Sequence, residues 1–127
     1  MKPETSNYLR KAEDCLLDAK ILLAQQRTLG AINRAYYAVF DGIQALLLEK
    51  NASTKTHQGA HTRFNQLFIQ SGIFPIETGK TVKKVFEKRQ VSDYDPDCQF
   101  DESEGVATVL LAENFLKEVK NWLNQGN

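Results

Sequence analysis

The sequence predicts an all-α protein, an antiparallel up-and-down helical bundle of about five helices. Apolar residues recur at intervals of three and four along most of the chain, which is the period of an α-helix. No segment alternates apolar and polar residues over more than a few positions, so strands are not predicted. The 127 residues suit one domain and are too few for two ordinary ones, so we expect residues 1–127 to form a single domain.

The first two helices are predicted over about residues 6–26 and 29–50, and the short loop between them favours direct antiparallel neighbours. Thr5 or Ser6 is available as the N-cap of the first helix. The second helix is the most apolar, and its broad apolar stripe indicates a central position: Ile32, Ala35, Tyr36, Val39, Ile43, Leu46 and Leu47.

A third helix is predicted over about residues 57–71, after a polar loop. The loop ends in a cap, either Thr54 or Thr56. Gly72 stands where a left-handed C-terminal cap belongs, and Pro75 prevents the helix from continuing.

The fourth helix is predicted over about residues 76–90 and leads into an acidic stretch, residues 91–100. The fifth helix opens with Asp101 and Glu104, which have the spacing of a capping box, and it continues to near Gln125. Its apolar residues recur at helical spacing: Val106, Val109, Leu110, Leu116, Val119 and Leu123.

Composition and charge exclude several classes of protein. The 16 Lys and Arg residues balance 16 Asp and Glu residues, and the resulting net charge of zero argues against a protein that coats nucleic acid. No apolar run approaches the roughly 20 residues that cross a bilayer, and no secretory leader is visible. Cys15 and Cys98 lack metal-ligand spacing, so we expect free thiols in the cytoplasm and neither a metal nor a cofactor.

The charge balance is global, because the chain changes sign near the end of the predicted fourth helix. Residues 80–89 hold five cations: Lys80, Lys83, Lys84, Lys88 and Arg89. Residues 93–104 then hold six acidic residues and no cation. A basic segment of this kind is usually a solvated face, but it can also contact the phosphates of a nucleic acid. The joining segment, residues 89–94, combines Arg89, Asp93 and Tyr94, and this set of groups could bind phosphate, orient a hydroxyl or fix the loop to the second helix.

Arg34 and Tyr37 place polar groups on the apolar second helix. One interpretation is an arginine that extends to solvent beside two core tyrosines, Tyr36 and Tyr37, whose hydroxyls reach the surface. The other is a cationic, hydroxyl-bearing wall of a ligand or subunit groove. The sequence leaves both open.

His57 and His61 are four residues apart on one helix face, a spacing that can share a metal ion. The segment lacks the Glu of a zinc-protease helix and no third ligand is near, so a structural or solvated pair is favoured. His57 also follows Lys55 and Thr56 at a helix start, where backbone amides and the helix dipole favour an anion such as phosphate.

Four segments together resemble the HEPN domain family, the higher eukaryotes and prokaryotes nucleotide-binding domain. They are residues 31–40 (AINRAYYAVF), residues 55–59 (KTHQG), residues 64–72 with Phe64 and Phe68 ahead of Ser71-Gly72, and residues 89–95 (RQVSDYD). The segments occur in the family's order, and the resemblance extends from about residue 8 to residue 122. Their combination is more specific than any one of them.

The resemblance implies a helical bundle that forms a homodimer and is commonly encoded beside a minimal nucleotidyltransferase. In many such pairs the HEPN protein is a ribonuclease toxin and the nucleotidyltransferase is its antitoxin. The family's catalytic signature is an Arg, four to six further residues and then a His, facing the dimer cleft. There the Arg would stabilise charge on the phosphorane, and the His would transfer the proton of the 2′-hydroxyl.

This chain departs from that signature, because Tyr94 stands five positions after Arg89 and no His follows. It is most similar to the branch with an Arg…Asp-Tyr motif, and whether it is an enzyme stays open. A phenol is a poor general base at neutral pH, although it can donate a hydrogen bond or stack on a nucleobase. His57 would replace the missing His if the third helix lay beside the end of the fourth.

Three hypotheses follow, of which the first is favoured. The first is a dimeric binding module that pairs with a nucleotidyltransferase and holds RNA or a nucleotide through these residues: Arg34, Tyr37, Lys83, Lys84, Lys88, Arg89 and Tyr94. The second is a metal-independent ribonuclease toxin that uses Arg89 with one of three proton-transfer groups: Asp93, Tyr94 or His57. The third is a buried polar network of Arg34, Asp93 and Tyr94 that fixes the bundle and its dimer.

Overall fold

A computed structural model describes residues 1–125, and these form a bundle of α-helices with no strand. The elements in chain order are α1 (Pro3–Ala24), α2 (Thr28–Glu49), α3 (His57–Phe64), a π-helical turn (Asn65–Ile69), α4 (Ile76–Tyr94) and α5 (Glu102–Asn124). The all-α class predicted from the sequence is confirmed. No helix in the described part of the chain combines the length and the apolar character needed to cross a membrane.

Helix α2 is the centre of the bundle, as its apolar stripe predicts. It contacts α1, α3, α4 and α5. All seven residues of the predicted stripe are buried, each with at most 1% of its surface exposed. Burial on most sides explains why this helix is apolar around much of its circumference, since a helix with only one buried face needs only one apolar stripe.

Helix α1 begins at Pro3, so the prediction that Thr5 or Ser6 is its N-cap is wrong. Lys2 is the cap residue, and Pro3 occupies the first helical position, where its missing N–H costs nothing. Thr5 is fully buried, and its hydroxyl donates to Glu49 Oε1 over 2.9 Å. The threonine therefore ties the start of α1 to the end of α2.

The third predicted helix is present but changes character along its length. Thr56 caps α3 by accepting a hydrogen bond from the Gly59 N–H, so Thr56 is confirmed as the cap and Thr54 is not. The helix widens into the π turn after Phe64. Gly72 has a φ of +84°, the left-handed conformation that the sequence predicts there.

Helix α4 runs to Tyr94, four residues beyond the predicted end at residue 90. Arg89 and Asp93 consequently lie on one helix face, with Arg89 Nη2 3.3 Å from Asp93 Oδ2. Helix α5 begins as predicted, because Asp101 accepts a hydrogen bond from the Glu104 N–H.

Two apolar residues of α5 do not join the core. Val106 is 49% exposed and Leu110 is 52% exposed, although both follow the helical spacing of the buried residues. The apolar stripe of α5 is therefore wider than the face that the bundle covers.

Candidate functional site

Polar and aromatic side chains from three helices meet at one place in the bundle. Helix α2 supplies Tyr36 and Tyr37, the start of α3 supplies two imidazoles, and the end of α4 supplies an arginine with its carboxylate. We name the group the Arg89 cluster: Tyr36, Tyr37, His57, His61, Arg89 and Asp93. The fold thus brings the third predicted helix beside the end of the fourth.

Arg89 lies over the faces of two tyrosine rings. Its Cζ is 4.6 Å from the ring centroid of Tyr36 and 5.3 Å from that of Tyr37. Its Nη2 donates to Tyr37 Oη over 3.3 Å and pairs with Asp93. Its Nε is buried and has no hydrogen-bond partner in the described chain. Cation–π contact and the ion pair hold the guanidinium in place, while its buried Nε–H has no acceptor in the described chain.

Tyr36 joins the two histidines through its hydroxyl. Its side chain is fully buried, and Oη lies 3.0 Å from His57 Nδ1 and 3.4 Å from His61 Nε2. Burial raises the pKa of Tyr36 to about 12, although the charge of Arg89 acts in the opposite direction. The hydroxyl therefore keeps its proton at neutral pH, and the tautomers of the two imidazoles determine to which of them it donates and from which it accepts.

The two imidazoles sit among aromatic rings. His57 stacks on Phe40 with ring centroids 4.1 Å apart, and His61 lies 4.4 Å from the centroid of Phe86. Burial, with a smaller contribution from the charge of His57, lowers the pKa of His61 to about 4. His61 is therefore neutral at neutral pH. Within residues 1–125 no group of three His, Cys, Asp or Glu side chains is placed to hold a metal ion.

Arg34 on α2 also contacts the Arg89 cluster, through the ring of Tyr37. Its Cζ is 5.0 Å from the Tyr37 ring centroid, and it forms no ion pair within the described residues. Arg34, Tyr37 and Phe40 line a hollow of about 320 Å³ together with Asp41. Asp41 is buried, which raises the pKa of its carboxyl, and it accepts a weak hydrogen bond from Cys15 Sγ at 3.8 Å.

The basic residues of α4 separate into two grooves. Lys83 lines a groove between α3 and α4 that His61 also lines. Lys84 and Lys88 line a different groove, between α4 and α5. Lys88 is also engaged there, with Nζ 3.8 Å from Glu104 Oε2 and 5.1 Å from the Phe100 ring centroid. The fold therefore does not bring Lys84 and Lys88 to the Arg89 cluster.

Tyr94 lies outside the cluster, with 83% of its surface exposed and no hydrogen bond or ring contact to the cluster in the described chain. The predicted buried network of Arg34, Asp93 and Tyr94 is therefore wrong, because Tyr94 is in solvent and Asp93 has 38% of its side chain exposed. The buried network instead joins Tyr36 to His57 and His61.

Sequence reasoning favoured a structural or solvated His57–His61 pair but missed Tyr36 as the group that joins the two histidines. The interpretation in which the Tyr36 hydroxyl reaches the surface is wrong, because both histidines enclose it. A usable signal was present: a tyrosine inside a buried stripe needs a hydrogen-bond partner, and paired imidazoles four residues apart offer two.

The fold and this site define the class of protein: a helical bundle that holds an arginine, two tyrosines and two histidines at the meeting point of three helices. The model of the HEPN domain matches residues 5–122, and the chain belongs to the HEPN domain family.

Relatives support the assignment over nearly the whole chain. A UPF0332 protein of Thermotoga maritima is 39% identical over 113 residues, which cover 89% of this chain and 86% of that protein. "Putative toxin MJ0605" of Methanocaldococcus jannaschii is 32% identical over 125 residues, covering 98% of this chain and 92% of that protein. The UPF0332 protein glr0978 of Gloeobacter violaceus is 33% identical over 130 residues, covering 98% and 100%.

Proposed function

We propose that this chain is the HEPN component of a toxin–antitoxin-type pair, whose partner is a minimal nucleotidyltransferase, and that it binds RNA or a nucleotide at the Arg89 cluster in a dimer cleft. Membership of the HEPN family supports the proposal, as do the names of two relatives, MJ0605 and MJ0142, which carry the word toxin. The ligand carries a phosphate group, because Arg34 and Arg89 present their side chains to it.

The observation that carries the proposal is the pair of guanidinium groups around the Tyr37 ring. Arg34 and Arg89 both lie within 5.3 Å of its centroid, and Asp93 is the one carboxylate in the described chain that forms an ion pair with either of them. Two guanidinium groups that contact one ring, with a single carboxylate paired to either, favour an anion, and a guanidinium binds phosphate through two parallel hydrogen bonds.

The test is binding of short single-stranded RNA, measured by fluorescence anisotropy. We expect Arg34→Ala and Arg89→Ala each to weaken binding about ten-fold or more, because each removes a charge-assisted hydrogen bond. Each substitution should also lower the dependence of binding on salt by about one counterion. Arg10→Ala on the exposed face of α1 is the matched control and should bind as the unaltered protein does. Equal binding by all four proteins would refute the proposal.

The dimer is part of the same proposal. Val91 and Leu110 are exposed by 46% and 52%, and they line the groove between α4 and α5 in the half of α4 that carries Arg89. Burial of such apolar surface favours association. Sedimentation of Leu110→Lys should show a monomer, whereas Leu17→Lys on α1 should sediment as the unaltered protein. Co-expression and co-purification with a minimal nucleotidyltransferase tests the proposed partner, and failure of the two proteins to associate would contradict it.

The second candidate function is a ribonuclease in which His57 takes the place of the missing His. One observation favours it: His57 contacts the tyrosine whose ring Arg89 covers, whereas Tyr94 is in solvent. His57 Nε2 would accept the 2′-hydroxyl proton when Nδ1–H donates to Tyr36 Oη and Tyr36 donates to His61 Nε2. Arg89 would stabilise the charge on the phosphorane.

RNA cleavage assays separate the two functions. For a ribonuclease of this kind, Arg89→Ala and His57→Ala abolish cleavage, while Tyr94→Phe cleaves at the original rate. Loss of cleavage in Tyr94→Phe would exclude His57 as the replacement. A protein that binds RNA through Arg89 and leaves it intact has the first function alone.

A further inference from the structure

A second concave surface adjoins the Arg89 cluster. It is a groove of about 450 Å³ between α3, the π turn and α4, within the range of ligand sites in proteins. We name it the α3–α4 groove. One wall consists of the rings of His61 and Phe86, whose centroids are 4.4 Å apart at an interplanar angle of 52°. Lys80 and Lys83 line it from α4.

The groove also holds polar groups that have no partner in the protein. Gln58, Asn65 and Gln90 line it, and none of their side-chain amides forms a hydrogen bond within residues 1–125. Lys83 forms no ion pair there, and Lys80 has only an exposed contact of 3.9 Å with Glu77. Exposed pairs of this kind contribute little, so both ammonium groups are available to an anion.

Two features of the backbone shape this groove. The π turn carries Asn65 and Ile69 into its lining, and π turns within helices often occur at functional sites. Gly79 on α4 faces Ile69, and an added Cβ there would be in van der Waals contact with it, 3.4 Å from two of its carbons, so α4 packs closely on the π turn at this point.

We infer that the α3–α4 groove binds one nucleotide of a single-stranded RNA whose neighbouring phosphate lies at Arg89. The base stacks against Phe86 and His61, the free amides contact its edge, and Lys80 and Lys83 contact the backbone phosphate. Amide side chains recognise base edges through paired donors and acceptors. The inference rests on the proposed function, because it supplies a subsite for the same RNA.

The position of the groove supports one continuous RNA site. Phe86 lies one turn before Arg89 on α4, and its ring centroid is 5.8 Å from that of Tyr36. Arg89 is 4.6 Å from the same Tyr36 ring. A single aromatic ring therefore separates the two binding surfaces. The lowered pKa of His61 keeps its ring uncharged, which suits stacking on a neutral base.

Adjacent lysines provide a matched test. Lys83 lines the α3–α4 groove, and Lys84 lines the groove on the other side of α4. We expect Lys83→Glu to weaken binding of short single-stranded RNA about ten-fold more than Lys84→Glu, although both make the same change in charge. Because Lys84 lines the groove proposed as the dimer surface, the two variants are compared under conditions where sedimentation shows the same oligomeric state as the unaltered protein. Both lysines are exposed, so the melting temperatures should match that of the unaltered protein. Equal effects of the two substitutions would overturn the inference.

A spectroscopic experiment separates this inference from the proposed function. Histidine NMR of Arg89→Ala titrated with the same RNA should still shift the His61 imidazole resonances, because the groove is intact. If that shift is absent while binding still depends on Arg34 and Arg89, the α3–α4 groove is not a nucleotide site, and the proposed function is unaffected. If neither arginine affects binding, the proposed function fails.

Titration with adenosine monophosphate distinguishes the source of the nucleotide. We expect it to bind at least ten-fold more weakly than the RNA, since it lacks the phosphate at Arg89. Equal affinities for the two ligands would indicate that the groove binds a free nucleotide and not RNA, which would overturn the assignment.

Discussion

Two aromatic clusters lie in this bundle, and they differ in what the rings enclose. The Arg89 cluster holds a guanidinium, two imidazoles and a buried hydroxyl. The other, which we name the phenylalanine cluster, consists of Phe64, Phe68, Phe74, Phe115 and Trp122, with ring centroids 5.1–6.4 Å apart. The rings of the two clusters pack at similar distances. Comparing the clusters therefore distinguishes aromatic packing that stabilises a core from aromatic packing that positions polar groups.

The energetic logic of the two clusters follows from this difference. The four phenylalanine rings of the phenylalanine cluster carry no polar group, and the indole N–H of Trp122 is its one polar ring atom, so burial of these rings contributes almost entirely to stability. In the Arg89 cluster, each buried polar group loses water and regains hydrogen bonds or cation–π contact, which leaves a small net gain. We therefore expect substitutions in the first cluster to affect folding and those in the second to affect binding.

The largest effect is expected from Phe115→Ala in the phenylalanine cluster. Phe115 is fully buried, meets Phe64 of α3 edge to face at 5.7 Å and packs against Gly42 of α2, so removing its ring leaves a cavity between α5 and these two helices. The free energy of unfolding should fall by about 3–5 kcal/mol, as measured by urea denaturation. RNA affinity should be unchanged at temperatures where the protein is folded. A loss of affinity without a loss of stability would show that the two clusters are not separate in function.

A smaller effect is expected when pH is lowered through the titration range of His61. In the folded protein its pKa is about 4, below the ordinary value of 6.5, so the unfolded chain binds this proton first. Stability from His61 is present above about pH 6.5 and is lost progressively as pH falls toward 4. Between about pH 7 and pH 5 we expect a loss of about 2 kcal/mol from this group.

The variant His61→Gln isolates that contribution from the carboxylates. Glutamine has both an amide N–H and a carbonyl oxygen, so it can donate to the Tyr36 hydroxyl or accept from it, but it does not titrate. The pH dependence of unfolding should be shallower in His61→Gln by the amount above. Identical slopes in the two proteins would mean that His61 is solvated in the folded state.

Much of the fold was predictable because its signals are local. Periodicity gave every helix, and the caps at Thr56 and Asp101 and the left-handed Gly72 were predictable from single residues. Two helix boundaries were predicted wrongly, the start of α1 and the end of α4, because the contacts that set them are non-local or compete with the local pattern. Thr5 has its partner on another helix, at Glu49. The end of α4 is extended through an acidic stretch by the Arg89–Asp93 pair and by the Ser92 hydroxyl, which donates to the Arg89 carbonyl over 2.7 Å.

The candidate site was only partly predictable, because its geometry depends on how helices pack. Arg89, Tyr37 and His57 were candidates by residue type and motif. Their convergence, and the separation of Lys83 from Lys84, depend on the rotation of α4 against α2 and α3, which no local pattern specifies. The position of the Tyr36 hydroxyl between two imidazoles was unpredictable for the same reason, since its partners lie 21 and 25 residues away in the chain.

The smallest effect on stability is expected from Asp93→Asn. This substitution in the Arg89 cluster should change RNA binding more than it changes folding. The Arg89–Asp93 pair is 38% exposed at the carboxylate, so its loss should change the free energy of unfolding by less than about 1 kcal/mol. Asp93 also competes with any phosphate for Arg89, so its neutralisation should tighten binding of single-stranded RNA severalfold. Glu113→Gln, which breaks the Lys20–Glu113 pair elsewhere in the bundle, makes the same change in charge and should leave affinity unaltered. Weaker RNA binding by Asp93→Asn would mean that Asp93 orients Arg89 for its ligand and does not compete with it.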